Sequence, residues 1–92
     1  MDERQEEMRG ESARRVLNED VYKEAYAVLE RKIINEMAQQ EIEPARAEYL
    51  RTLLVSMRKV RLYLEQLMTT GTMAAMEMER KRTLRDKLLR RA

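Results

Sequence analysis

Seven cations, Arg80, Lys81, Arg82, Arg85, Lys87, Arg90 and Arg91, crowd the last thirteen residues of this 92-residue chain. Lys and Arg on successive turns of a helix can neutralise phosphates along a nucleic-acid backbone, a salt-dependent mode that reads no bases. Glu77, Glu79 and Asp86 are interleaved with them, and cations near a helix C-terminus also complement its dipole. The run therefore has two readings, a nucleic-acid contact and a solvated or protein-bound basic helix.

Carboxylates one helical turn apart hold Mg²⁺ in all-α nucleotide hydrolases, and the chain has two acidic clusters. Glu3, Glu6 and Glu7 sit near the amino terminus, and Glu36, Glu41 and Glu43 flank a loop. Neither set makes two facing inward pairs, and both read as solvated helix surface. The chain has no His, the usual general base near neutral pH, and no Cys, which excludes disulfides and thiolate metal sites. Its two glycines are 61 residues apart, so there is no glycine-rich phosphate loop, and no Ser or Thr has a His to activate it. The expectation is a protein that is not an enzyme, with no catalytic residue, metal or cofactor. Tyr49 and Tyr63, with Arg58, Lys59 and Arg61 nearby, can stack on bases, or pack at a bundle edge with their hydroxyls in water.

These side chains must be carried by helices. The composition is 39% charged and 4% aromatic, with two Gly and one Pro, which suits long helices and offers little to a sheet. Residues 44–70, opened by the only proline, form an unbroken helical pattern in which Leu50, Leu53, Met57, Val60, Leu64 and Leu67 recur at steps of three and four. This is the seam of a helical hairpin. The partner stripe is Tyr22, Tyr26, Leu29, Ile33 and Met37, on a helix expected over residues 19–40 with Asn18 as its N-cap. A short connection, Glu41 to Glu43, with Pro44 at the first turn of the next helix, makes the two helices antiparallel neighbours.

Val55 and Leu62 stand seven apart on the face opposite the Leu50/Leu64 seam, where a simple hairpin would be polar. A second apolar line, continued by Met73 and Met76, implies a second neighbour: a third helix of the chain or another copy. Thr69-Thr70-Gly71-Thr72 reads as a turn with Gly71 left-handed and Thr72 capping a third helix over residues 72–91; a continuous helix is the competing reading. Met68, Met73, Met76 and Met78 gather around it, as core filler or as an adaptable contact surface. Residues 1–11 have few apolar groups and read as a charged flexible arm, and Ser12 caps a short turn over residues 13–17. The expected fold is all-α: an antiparallel helical hairpin plus a C-terminal helix, one domain over residues 12–92, assembling into an oligomeric helical bundle.

Residues 1–43 carry seven Lys or Arg against twelve Asp or Glu, while residues 44–92 carry twelve against five. Such asymmetry means that the halves attract each other when folded back, or that one end meets a polyanion. No apolar run approaches the roughly 18–20 residues that span a bilayer, and the amino terminus is charged where a signal peptide would be apolar. The expectation is a cytoplasmic protein with no membrane partner, whose partners are itself and another protein, with nucleic acid as the alternative reading of the basic run.

The helix NEDVYKEAYAVLE, the short acidic loop, the second amphipathic helix and the TG that follows resemble small helical proteins encoded by tailed bacteriophages, over about residues 17–76. The resemblance implies a phage setting, host cytoplasm or virion, often among DNA-packaging or virion-assembly genes. It transfers no activity to any residue, and the basic tail lies outside it.

Overall fold

The computed structural model describes residues 2–91, which form three helices: α1 (Glu3–Asn18), α2 (Asp20–Met37) and α3 (Pro44–Arg91). At about 1.5 Å per residue the 48 residues of α3 span about 72 Å, and the molecule measures 76 × 24 × 17 Å. Helix α3 is thus its full length. Helices α1 and α2 lie one after the other along it, both antiparallel to it: Glu3 reaches Lys81, Gly10 meets Gly71, Glu30 reaches Arg58 and Glu36 reaches Arg46. The fold is all-α, and the hairpin has one unbroken arm and one arm in two pieces.

Residues 3–11 are helix, capped by Asp2, where a flexible arm was expected. Asp2 and Gln5 form a reciprocal capping box: the Gln5 amide donates to Asp2 Oδ1 at 2.8 Å, and the Asp2 amide to Gln5 Oε1 at 3.3 Å. The helix then runs through Ser12, whose hydroxyl donates to the Met8 carbonyl, so Ser12 is an interior residue and caps nothing. It ends at Glu19, whose extended backbone (φ −68°, ψ 123°) separates α1 from α2. Asn18 closes α1, and Glu19 occupies the N-cap of α2 without a side-chain bond. Asn, Glu and Asp at 18–20 set this break, since short polar side chains compete for backbone groups at helix ends.

What holds α1 down is the smallness of its inner face. Glu3, Glu6, Gly10, Ala13 and Leu17 follow one another by three and four, and all are buried or half-buried. Opposite them stand Gly71, Ala74 and Ala75. A Cβ built on Gly10 would lie 2.8 Å from Gly71 Cα and 2.9 Å from the Leu67 carbonyl oxygen; one on Gly71 would lie 2.8 Å from Gly10 Cα. The backbones touch. Among the described residues no glycine has positive φ, so both glycines serve space and not conformation. The expected turn at Gly71 is therefore absent: α3 passes straight through it, and Thr72 donates to the Met68 carbonyl as an interior residue.

The other half of the hairpin closes on Ile33, Leu50 and Leu54, with Met37, Ile42 and Met57 packed around them. Helix α2 stops at Met37, three residues before the expected end, and Ile42 in the connection turns back onto this cluster. Pro44 opens α3, its missing N–H one that would be unpaired there anyway.

Of the residues expected in the seam, Ile33 and Leu50 are buried, and Met37, Met57, Leu64 and Leu67 are half-buried. The seam is corrected at Leu29, Leu53 and Val60, which are 49%, 37% and 60% exposed. The buried positions of α3 are 50, 54, 71 and 74, so the register is carried by Leu54 and not Leu53. Both alternatives fit a three-four spacing from Leu50, and a run of leucines at 53 and 54 cannot say which faces inward.

Candidate functional site

The acidic arm and the basic arm attract each other. Arg46 Nε lies 2.6 Å from Glu36 Oε2, Arg58 Nε 3.3 Å from Glu30 Oε2, and Lys81 Nζ 2.6 Å from Glu3 Oε1. The hydrogen bond from Arg46 holds the Glu36 carboxyl below its ordinary range, and Glu36 raises Arg46 in turn. Arg46 also sits 5.4 Å from the Tyr49 ring, and Arg61 lies 5.1 Å over the Tyr26 ring while its Nε donates to Glu65. These contacts use the charge asymmetry inside the molecule.

They also consume part of the basic run. Arg80 is paired with Glu77 at 2.5 Å and Arg82 with Glu79 at 2.7 Å along α3, and Lys81 with Glu3 across the hairpin. The hydrogen bond that Lys81 donates to Glu3 raises the Lys81 pKa, and the one that Arg80 donates to Glu77 does the same to Arg80. Among the described residues, no ion pair engages Arg85, Lys87, Arg90 or Arg91. These four lie beyond Lys81, where α1 ends and α3 continues alone with Leu84, Leu88 and Leu89 exposed.

Neither acidic cluster is assembled for a cation. Glu3 and Glu36 are in ion pairs with the other arm, and among the described residues no three His, Cys, Asp or Glu side chains come together. An open cleft of about 600 Å³ where α1 meets α2 is lined by Leu17, Tyr22, Tyr26, Arg61 and Met68. Its two carboxylates, Glu30 and Glu65, are neutralised by Arg58 and Arg61. Tyr63 accepts a hydrogen bond from Arg9 at 3.1 Å, and Tyr49 stacks with Arg46. Both Tyr therefore stand at the edge of the hairpin with their rings partly open to solvent.

The residues expected to form a second interface, Val55, Leu62, Met73 and Met76, are all exposed along α3. Because α3 is continuous, no third helix of this chain returns to cover them. Among the described residues no helix is long and apolar enough to cross a membrane. Neither a family model, a curated protein nor a solved structure matches the chain.

Sequence reasoning missed the face made by Gly10, Ala13, Gly71 and Ala74. Its signal was present: the D-x-x-Q of a capping box at residues 2–5, then small residues at three-four spacing in both partners.

Proposed function

We propose that this protein is a non-enzymatic helical structural or adaptor protein that works as an oligomer and holds a protein partner. The observation that carries the reading is surface area. The chain exposes 7715 Å², whereas a compact monomer of 11.1 kDa exposes about 5,700 Å². Its radius of gyration is 20.8 Å, against about 12 Å for a compact domain of this length. The excess, about 2,000 Å², falls in the range of about 1,000–2,500 Å² per subunit that obligate assemblies bury. Much of it is aliphatic, with Val21, Leu29, Val60, Leu62, Met73 and Met76 among the exposed side chains. A rod two helices thick encloses only a small core, Ile33, Leu50 and Leu54 with Ala13 and Ala74; association supplies the missing layer.

The resemblance of residues 17–76 to small phage-encoded helical proteins is what brings phage assembly, or a host protein as target, into this reading. Sedimentation equilibrium is the test, because it reads mass independently of the rod shape. A mass that is a multiple of 11.1 kDa at micromolar concentration is expected. An 11.1 kDa species at every concentration up to about 100 µM, where a Kd worth roughly −5.5 kcal/mol would still show, overturns it.

A second reading is favoured by Arg85, Lys87, Arg90 and Arg91, unengaged on the overhang of α3. It makes the chain a nucleic-acid-binding accessory of the small DNA-packaging type, with the overhang lying along phosphates.

A further inference from the structure

Four side-chain contacts mark the two flanks of the hairpin, and the flanks differ in kind. On one, Glu36 meets Arg46 and Arg9 meets Tyr63; on the other, Glu30 meets Arg58 and Arg14 meets Thr72. Residues seven apart lie two turns along the same column of a helix in a hairpin of this kind. From Glu36 that column leads to Leu29, from Arg46 to Leu53 and Val60, and from Arg9 to Val16. All four are exposed aliphatics. On the other flank, the same step leads from Glu30 to Lys23, from Arg58 to Arg51 and Glu65, and from Arg14 to Glu7. All of these are charged. Between its Glu36–Arg46 and Arg9–Tyr63 contacts one flank of the rod carries aliphatics, whereas the same positions of the other are ionic.

We infer that the flank carrying Val16, Leu29, Leu53 and Val60 is where a second copy of this chain docks, pairing with the same flank across a two-fold axis. The inference rests on the oligomeric reading above and names its surface and its partner. A two-fold contact brings a surface against itself, so it favours a face with no charge in its middle. Along α3 the stripe Tyr49, Leu53, Ser56, Val60, Tyr63 and Leu67 steps by three and four for about 27 Å without an ionised side chain. Ser56 in its centre already donates to the Thr52 carbonyl at 2.8 Å, so covering it costs no hydrogen bond. An open groove of about 680 Å³ lies beside the face, bordered by Val16, Leu64 and Leu67 and, on its α1 side, by charged residues such as Arg9 and Glu11. Two such flanks in contact make a two-layer bundle, four helices in cross-section, in which each copy supplies the layer that the other lacks.

The other apolar line, Val55 and Leu62, is a poorer choice for self-pairing. Arg51 and Arg58 border them on the side away from the Leu53/Val60 stripe, with Lys59 between the two lines, so two copies meeting there would oppose Arg to Arg. Met73 and Met76 on the same helix are followed by Arg80. That face is suited to a partner of opposite charge.

The discriminating experiment compares Leu53→Glu/Val60→Glu with Val55→Glu/Leu62→Glu by sedimentation equilibrium, with helicity followed by circular dichroism. All four side chains are exposed, so the fold of one copy survives either change. The wild type and the Val55/Leu62 variant should sediment as dimers, twice 11.1 kDa, and the Leu53/Val60 variant as a helical monomer. A Leu53/Val60 variant that stays dimeric, or a Val55/Leu62 variant that alone dissociates, overturns the choice of flank while leaving the oligomer intact. A wild type that is monomeric throughout removes the oligomeric reading itself. Because the chain has no cysteine, Val60→Cys and Leu62→Cys provide a second readout. Maleimide labelling in the wild-type background should be at least tenfold slower at position 60 than at 62 when dimeric, and equal rates overturn the inference.

Discussion

Gly71 is the residue on which the approach of the two arms turns. In the interior of an unhindered helix, glycine costs up to about 1 kcal/mol relative to alanine, so Gly71→Ala ought to stabilise α3 if the position faced solvent. Here the added methyl meets the Gly10 backbone, which has no rotamer to yield, and the arms must part. Gly71→Ala is therefore expected to destabilise the protein by about 1–3 kcal/mol, the range for overpacking a close contact. Urea denaturation measures it as a lower midpoint at unchanged slope, with Thr70→Ala, an exposed neighbour, as the reference. An unchanged or raised midpoint would mean that α1 does not sit on α3. Glycine is ambiguous in a sequence because the same atom count serves a left-handed turn and a close approach. The ambiguity at Gly71 is resolved by Gly10 and Ala13 on another helix, which reading one helix at a time does not bring together.

At the level of the elements, the hairpin, its antiparallel sense and Pro44 at the start of α3 were legible, because apolar spacing and proline chemistry act locally. The register was not, because the apolar stripe of α3 is wider than a two-helix contact can use. Leu50, Leu54 and Met57 go inward, while Leu53 and Val60 are left on the flank. That surplus is what makes the flank a candidate site, and it was hidden within the expected seam. Helix α1 was illegible for the complementary reason: its contact face is Gly and Ala, which contribute little to an apolar count yet bury backbone against backbone. The corner between α2 and α3 is held by Glu36 and Arg46, and its strength has a pH signature. Arg46 lowers the carboxyl pKa of Glu36 in the folded chain below its unfolded value. Such a group contributes stability that is fully present above the unfolded carboxylate range, near about 4.3, and is lost as pH falls through the lowered folded value. Glu36→Gln should melt at a slightly lower temperature than the wild type at pH 7, with the gap closing below about pH 4. Both partners are exposed, so the effect is small and shrinks in high salt. A gap that persists at pH 3 would assign the loss to packing and not to the ion pair.

The molecule as a whole distributes its charge in two ways, and they make opposite demands. Glu3, Glu30 and Glu36 on the acidic arm hold Lys81, Arg58 and Arg46 on the basic one, which satisfies those cations without any outside partner. The overhang of α3 is exempt, because among the described residues none of the other arm extends that far. It carries Arg82, Arg85, Lys87, Arg90 and Arg91 against Asp86. A single helix of this length is marginal in water by itself, so a surface that binds it would also order it. If the surface is a nucleic acid, the four unengaged cations release counterions, and the logarithm of affinity for duplex DNA falls with that of salt at a slope of about −3 to −4. Replacing Arg85, Lys87, Arg90 and Arg91 by Gln should abolish that binding while leaving mass and helicity unchanged, since none of the four takes part in an ion pair within the hairpin. An electrophoretic shift at low salt that survives the replacement would move the contact to Lys59 and Arg51 on the back of α3. No shift even at about 50 mM salt, where such contacts are strong, would leave the overhang to a protein partner and the charge of α3 to the folding of the hairpin.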